Sequence, residues 1–322
     1  MDARPTVDGG ALRGLASCGP IVVAAIANYG DRGVSLTVHA AKVALRQAVA
    51  FEFSVIVVDD GSDPKVVEKI RNSVPGLERV IHLPENRGYA AACNAAIRQA
   101  RAAGADYVWL LNNDIDMPAS TLAPLVKTLE RQARWAAVAP VTIDPESPHR
   151  VLGAGMVVGR TRARVRHLYT GSLQRLLPAE PYAVDGIEGA APLLRLAAVD
   201  VIGELDEGYG MYWEDTDWSV RARDAGWEVG IDPRARVSHL VGQSTSSERR
   251  TELLIWNRIR FADLTGTPVQ RLVFRLYFVL GWLPLYTATR LVPRFGLRTG
   301  ARMAARLLSR ALRWTSAGEH VA

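Results

Sequence analysis

Four strand-length segments in the first third of the chain each lead to side chains able to hold a polar ligand. The first run closes on Asn28-Tyr29-Gly30 and the second on Asp59-Asp60-Gly61-Ser62-Asp63. The third leads to Asn86-Arg87-Gly88-Tyr89, with Asn94 further on, and the fourth to Asn112-Asn113-Asp114-Ile115-Asp116. Asn112-x-Asp114 offers oxygen ligands to a hard divalent cation. Mg²⁺ and Mn²⁺ suit it, because they take one or two carboxylates and leave positions for phosphate oxygens. Asp116 is a further candidate ligand. A single cluster of this kind is read as an Asx-rich turn; a series of them, each at a strand end, favours a bound ligand.

A second concentration lies at Tyr209, Tyr212 and Trp213, directly ahead of Glu214-Asp215-Thr216-Asp217. Acidic residues in a first helical turn favour the positive end of the helix dipole, and Arg221 stands four residues after Asp217 as a routine ion pair. Neither account explains the aromatic residues. Aromatic rings beside a carboxylate desolvate it and raise its pKa, as a general base requires, and they offer a stacking face for a sugar. Trp213 and Glu214 are therefore candidates for contact with a sugar or acceptor. His239 is read either as a half-buried structural imidazole or as a metal ligand.

The elements that must position these residues follow from hydropathy. Residues 21–27, 55–58 and 107–111 are continuous apolar runs of strand length and 79–83 is a further strand candidate, separated by helical patterns near 34–49, 64–73 and 88–103. Doubly buried strands alternating with helices predict βαβ units and a parallel sheet covered on both faces. Ligands in such sheets bind at the carboxyl ends of the strands, where the polar clusters stand. After about residue 140 the alternation breaks down, and a new helix begins near Glu214. No G-x-G-x-x-G or G-x-x-x-x-G-K-[ST] loop is present.

The chain has 322 residues, mean hydropathy +0.03, 48% hydrophobic and 22% charged residues. These values disfavour disorder, a collagen-like chain and a polytopic membrane protein. Cys18 and Cys93 are too few for a disulfide framework and point to a reducing compartment. The net charge of +6 is uneven. From Arg249 onward 13 arginines face 3 acidic residues, a net of +10, leaving 26 basic against 30 acidic residues and −4 before it. Such a partition points to an anionic partner for the tail.

Taken in order, Ile56–Asp63, Asn86–Asn94 and Leu110–Asp114 resemble the family 2 glycosyltransferases with the GT-A fold. Gly189–Arg195, Gly203–Glu207, Tyr212–Asp217, Arg221-x-x-x-x-Gly226-Trp227 and His239 extend the match, over about residues 20–262. The nearest subgroup is rhamnosyltransferase-like and serves bacterial surface polysaccharide assembly. The resemblance implies an α/β nucleotide-diphospho-sugar transferase fold, a mostly parallel sheet flanked by helices, with a C-terminal helical extension. It implies that Asp59 and Asn28 hold the base and ribose of a UDP-, dTDP- or GDP-linked sugar. Asp60, Asn86, Arg87, Asn94, Asn112 and Asn113 would shape the same pocket. Asp114 and His239 would hold Mg²⁺ or Mn²⁺, Asp215 would be the inverting general base, and Gly189-Ala190 would pass close to sugar and acceptor. Two departures stand out: Asn112 replaces the first metal-motif Asp, and Asp60 stands where many relatives carry Asn. Gln132-Ala133-Arg134-Trp135 is one residue too short for the processive Q-x-x-R-W motif and lies before the base, which favours single-sugar transfer to a glycan or polyprenyl-linked acceptor.

The expected organisation is a loose extension over 1–19, a catalytic domain over 20–265 divided at 140/141, and a basic tail over 266–322. Leu276 to Thr289 is an uncharged 14-residue stretch interrupted by Gly281 and Pro284. Spanning a bilayer takes about 20 apolar residues, so this stretch is read as interfacial or as a buried helix. From Leu297 a helix is expected with Arg298, Arg302, Arg306, Arg310 and Arg313 on one side and Met303, Leu307 and Trp314 among the residues on the other. Residues 268–314 are therefore expected on an anionic membrane surface, with the protein peripheral to the inner face of the cell membrane in the cytoplasm. Arg160, Arg162, Arg164 and Arg166 would share one face of a strand. Two rivals are weaker: a sugar nucleotidyltransferase lacks its Gly-rich loop here, and a nucleic-acid binder leaves the acidic strand ends unused.

Overall fold

The computed structural model describes residues 19–240 and 247–312. The extension expected over 1–19, apart from Gly19, lies outside the described residues, as do Arg313 and Trp314. The chain opens with β1 (Ile21–Asn28), α1 (Val34–Leu45), β2 (Glu52–Asp59), α2 (Pro64–Ser73), β3 (Arg79–His82), α3 (Tyr89–Ala102) and β4 (Tyr107–Leu111). The strands lie in the order β3-β2-β1-β4 and are all parallel. Both faces are covered over β1, the second half of β2 and β4, which is why these read as unbroken apolar runs, while the edge strand β3 stays partly exposed. Val22, Ala24 and Ile26 pack toward α1 and α2, while Val23 and Ala25 pack toward the alanine-rich α3.

The chain continues through β5 (Ile115–Asp116), α4 (Leu122–Arg131), β6 (Trp135–Ile143), β7 (Val151–Gly153), β8 (Met156–Gly159), β9 (Arg164–His167) and β10 (Tyr182–Val184). It then forms β11 (Leu193–Arg195), α5 (Leu196–Ile202), α6 (Glu214–Asp224) and β12 (Glu228–His239). These strands extend the sheet as β4-β11-β6-β12-β10. β6 and β12 are parallel, but β11 runs antiparallel to both β4 and β6. The sheet is thus parallel in its first half and mixed beyond it. The reversal places the residues leading into β11 at the carboxyl end of β4, where the Asn112 N–H donates to the Ala190 carbonyl at 2.9 Å.

The four alternating arginines do not share a strand. Gly159 pairs with Arg164, so Arg160 and Arg162 occupy the turn between β8 and β9, where Arg160 pairs with Asp224. Only Arg164 and Arg166 lie on β9.

The C-terminal part comprises α7 (Ser247–Thr265), α8 (Pro268–Leu276), α9 (Leu283–Tyr286), α10 (Val292–Phe295) and α11 (Leu297–Leu312). Gly281 and Pro284 do not break it as expected. Wide π turns at Tyr277–Trp282 and Thr287–Leu291 precede Pro284 and Pro293, whose missing N–H groups would leave gaps in an α-helical ladder. The result is one helical run over Pro268–Phe295, 28 residues with mean hydropathy 1.3 in its most apolar window. By length and composition it can cross a membrane, since about 1.5 Å per residue makes it longer than the ~30 Å hydrocarbon core. On its inner side Phe274, Phe278, Trp282 and Tyr286 stack in sequence, with centroids 5.6, 5.1 and 4.4 Å apart. On its outer side Val269, Leu272, Leu276 and Leu280 are exposed. The apolar side of α11 is not free: Met303, Leu307 and Ala311 are buried in a cluster with Ile255 and Ile259 of α7.

Candidate active site

Asn28 and Asp59 stand opposite each other at the ends of β1 and β2, so the parallel register forms a polar corner. Asn28, only 2% exposed, donates to Asp59 Oδ2 at 2.7 Å and accepts from Thr37 Oγ1 at 2.7 Å. The fully buried Asp59 carboxylate also accepts from the Ser62 N–H at 2.9 Å and the Ser62 hydroxyl at 2.7 Å. Thr37 in turn accepts from Asn113 Nδ2 at 3.2 Å, which joins the ends of β1 and β4. Thr37 was not singled out from sequence, since nothing local marks a helix threonine as a partner of two strand ends.

Asp60 faces away from this corner. Its carboxylate accepts the Arg87 N–H at 2.9 Å and the Gly88 N–H at 2.8 Å, tying the 86–88 loop to β2. Burial raises its carboxyl above the ordinary range, with the two N–H donors opposing the rise. Asn94, buried in α3, donates to the Leu205 carbonyl at 2.9 Å and Glu207 Oε1 at 3.0 Å, and accepts from the Leu205 N–H at 3.0 Å. Expected in the nucleotide pocket, Asp60 and Asn94 spend their polar atoms on neighbouring segments of the chain. Asn86 and Arg87 are exposed, and the Arg87 guanidinium pairs with Glu207 at 2.6 Å.

Asp114 Oδ1 lies 2.9 Å from His239 Nε2, and the Asn112 amide lies 3.3 Å from the same nitrogen. Asp116 does not join them. Ser238 is opposite Asp116 and His239 opposite Ile115, so the pleat sends Asp116 and His239 to different faces. Asp116 meets His39 of α1 at 3.3 Å instead. Among the described residues no three His, Cys, Asp or Glu side chains converge as a metal site. What converges is one carboxylate, one imidazole and one amide. That set fits a divalent ion whose remaining positions are filled by a diphosphate, and it does not suit an ion held by protein alone.

Asp215, in the first turn of α6, is held at both oxygens. Oδ2 accepts the Gly189 N–H at 2.8 Å, and Oδ1 accepts the Thr216 N–H at 2.6 Å. The Tyr89 hydroxyl donates to the Gly189 carbonyl at 2.9 Å, so Gly189 is held at both its N–H and its carbonyl. Burial raises the Asp215 carboxyl above its ordinary value, with Thr216 and Gly189 restraining the rise. Glu214 is only 4% exposed and its Oε2 has no hydrogen-bond partner. Burial, and then the charge of Asp215, push its carboxyl well above the ordinary range. It lines a cavity of about 20 Å³ with Tyr89, Leu205 and Trp218. Trp213 donates from its indole to the Leu254 carbonyl at 2.9 Å and packs 5.1 Å from Phe261. Both were expected to meet the acceptor; the structure turns Glu214 into the core and Trp213 onto α7. Glu188, next to Gly189, pairs with His167 at 2.6 Å, a bond that raises the imidazole pKa. No spacing in the sequence links that histidine to the site.

The mixed sheet and its carboxyl-edge site define the GT-A class of fold, which two solved structures share. The first is GalNAc-T7 with UDP, GalNAc and Mn²⁺: TM-score 0.61, 16% identity, covering 81% of this chain and 50% of that one. The second is the mannosyltransferase PcManGT of Pyrobaculum calidifontis with GDP-Man and Mn²⁺: TM-score 0.55, 18% identity, covering 91% and 86%. Residues 40–185 match the family described as Glycosyl transferase family 2. The chain is also 29% identical over 219 residues to the N-acetylglucosaminyl-diphospho-decaprenol L-rhamnosyltransferase of Mycobacterium tuberculosis, covering 62% of this chain and 70% of the relative. Together these likenesses support a rhamnosyltransferase-like glycosyltransferase enzyme with a family 2 match over residues 40–185.

Proposed function

We propose that this enzyme transfers one rhamnose, with inversion, from a nucleoside-diphosphate donor to a hydroxyl of a polyprenyl-diphosphate-linked glycan at the inner face of the cell membrane. The observation that carries this reading is Asp215: a carboxylate with a raised pKa, fixed by Gly189 beside the strand ends that would hold the donor. The acceptor oxygen forms a bond to the anomeric carbon as the bond from that carbon to the diphosphate breaks. The electron pair leaves on the diphosphate, and the hydroxyl proton passes to Asp215, a transfer worth about 10²–10⁴-fold. Asp59 and Asn28 would orient the nucleoside. Asp114, His239 and Asn112 would hold Mg²⁺ or Mn²⁺, which when bound neutralises the leaving diphosphate. The lipid acceptor is supported by the name of the mycobacterial relative and by the exposed apolar side of Pro268–Phe295.

The test is direct. Full-length enzyme is incubated with UDP-, dTDP- or GDP-linked rhamnose and a polyprenyl-diphospho-N-acetylglucosamine, with Mn²⁺, Mg²⁺ or chelator, and products are read by mass. A rhamnosylated lipid formed only with metal is expected. Hydrolysis of every donor without transfer, or full transfer in chelator, would overturn the reading.

A further inference from the structure

The segment that delivers Asp215 is strained. Tyr212 and Trp213 are consecutive left-handed residues, φ +71° and +77°, a conformation unfavourable for side chains of that size. They immediately precede α6, and the Trp213 carbonyl already accepts the Asp217 N–H of its first turn at 2.8 Å. Something must hold this backbone in place.

The holder is a side chain of α7. Asn257, 4% exposed, points its Nδ2 at three backbone carbonyls: Tyr209 at 2.8 Å, Met211 at 2.8 Å and Tyr212 at 2.9 Å. An amide nitrogen has two protons, so the three oxygens share them, and the loop is curled round one point. Two further residues of α7, spaced three apart on either side, grip the same region. The Leu254 carbonyl accepts the Trp213 indole N–H, and Arg260 Nη2 donates to both oxygens of Asp206, at 2.9 and 2.7 Å. Other residues of α7, Ile255 and Ile259, are buried in the cluster formed with α8 and α11. α7 therefore stands as a strut between the C-terminal helices and the loop that sets the base.

We propose that Asn257 is a positioning residue for catalysis, fixing Asp215 through the Tyr209–Trp213 backbone and making turnover depend on the packing of the C-terminal helices. This rests on Asp215 being the base. Asn257→Asp preserves shape and replaces both protons with an acceptor facing three carbonyl oxygens. In full-length enzyme kcat for sugar transfer is expected to fall about 10²-fold, the effect of misplacing a reacting group by about 1 Å, while the donor KM stays unchanged. The acid limb of the kcat–pH profile should move to higher pH, because a displaced Asp215 loses the Gly189 N–H that restrains its pKa. Added to Asp215→Asn, the change should cost nothing more. Wild-type kcat in folded Asn257→Asp, or losses that multiply in the double variant, would overturn the proposal. If Asn257→Asp does not fold, Asn257→Ser retains one donor and should show intermediate kcat at unchanged donor KM; wild-type kcat there is again fatal. Full activity in Asp215→Asn alone would instead remove the base assignment.

Discussion

Two adjacent carboxylates, Asp215 and Glu214, differ in what surrounds them rather than in type. Asp215 is half-buried and bonded to two backbone N–H groups, so it ionises with difficulty but can ionise; Glu214 is buried with one oxygen unpartnered. Asp215→Asn should lower kcat by about 10²–10⁴-fold and leave the thermal shift produced by the donor nucleotide unchanged. Donor-induced stabilisation lost together with activity would show a binding role instead. Glu214 makes a different prediction, on stability. Its carboxyl pKa is higher folded than unfolded, so the folded state holds the extra proton and stability falls as pH rises from about 4.5 toward the folded value. Glu214→Gln removes this penalty. Its Tm relative to wild type should therefore rise between pH 4.5 and pH 8, and a difference independent of pH would contradict the buried proton.

The site depends on close contacts between loops. Gly61 is left-handed at φ +74°, and a Cβ there would lie 2.3 Å from the Glu85 carbonyl carbon. Gly88, at φ +93°, would put a Cβ 2.7 Å from the Gly210 carbonyl oxygen, whose own partner is the Ala90 N–H at 3.0 Å. The start of α3 and the loop before α6 thus touch backbone to backbone, and only glycine permits it. Gly88→Ala should destabilise the fold by roughly 1–3 kcal/mol, the range for a strained backbone position, measured by urea unfolding. Unchanged stability would mean that the two loops part easily and that Asp215 is not held from this side.

The extension is both core and surface. Cutting after Thr267 would expose Ile255, Ile259 and Phe261, so truncation cannot separate attachment from folding. The exposed stripe can be altered alone. Leu272, Leu276 and Leu280, 53%, 52% and 75% exposed, lie four residues apart on one helix side. Replacing all three with Glu should release the protein from vesicles containing anionic lipid while leaving Tm and donor-induced stabilisation near wild type. Vesicle binding that survives would place the contact on Arg290, Arg294 and Arg298 rather than on the apolar stripe. The expected lipid-facing side of α11 is instead half committed: Met303, Leu307 and Ala311 are buried and Arg306 ion-pairs with Glu252, while Leu297 and Leu312 stay exposed.

The primary structure reveals the kind of chemistry and the frame beneath it. Apolar runs and polar strand ends are local patterns, because burial on two faces and exposure at an edge are set by each strand's own residues. That is why the parallel half of the sheet and the polar ends of its strands are readable, and with them the resemblance to a family. Which polar atom is left for a ligand is not a local property. Asn94 is committed to Leu205, 111 positions away, and Trp213 to Leu254, 41 away. Asp116 loses His239 to the parity of a pleat, and Glu214 loses its water to the packing of Trp218 and Tyr89. Each outcome turns on a partner brought close by folding. Residue types set what chemistry is on offer, and tertiary contacts set Asp114 against His239 and tie Asp215 to Gly189.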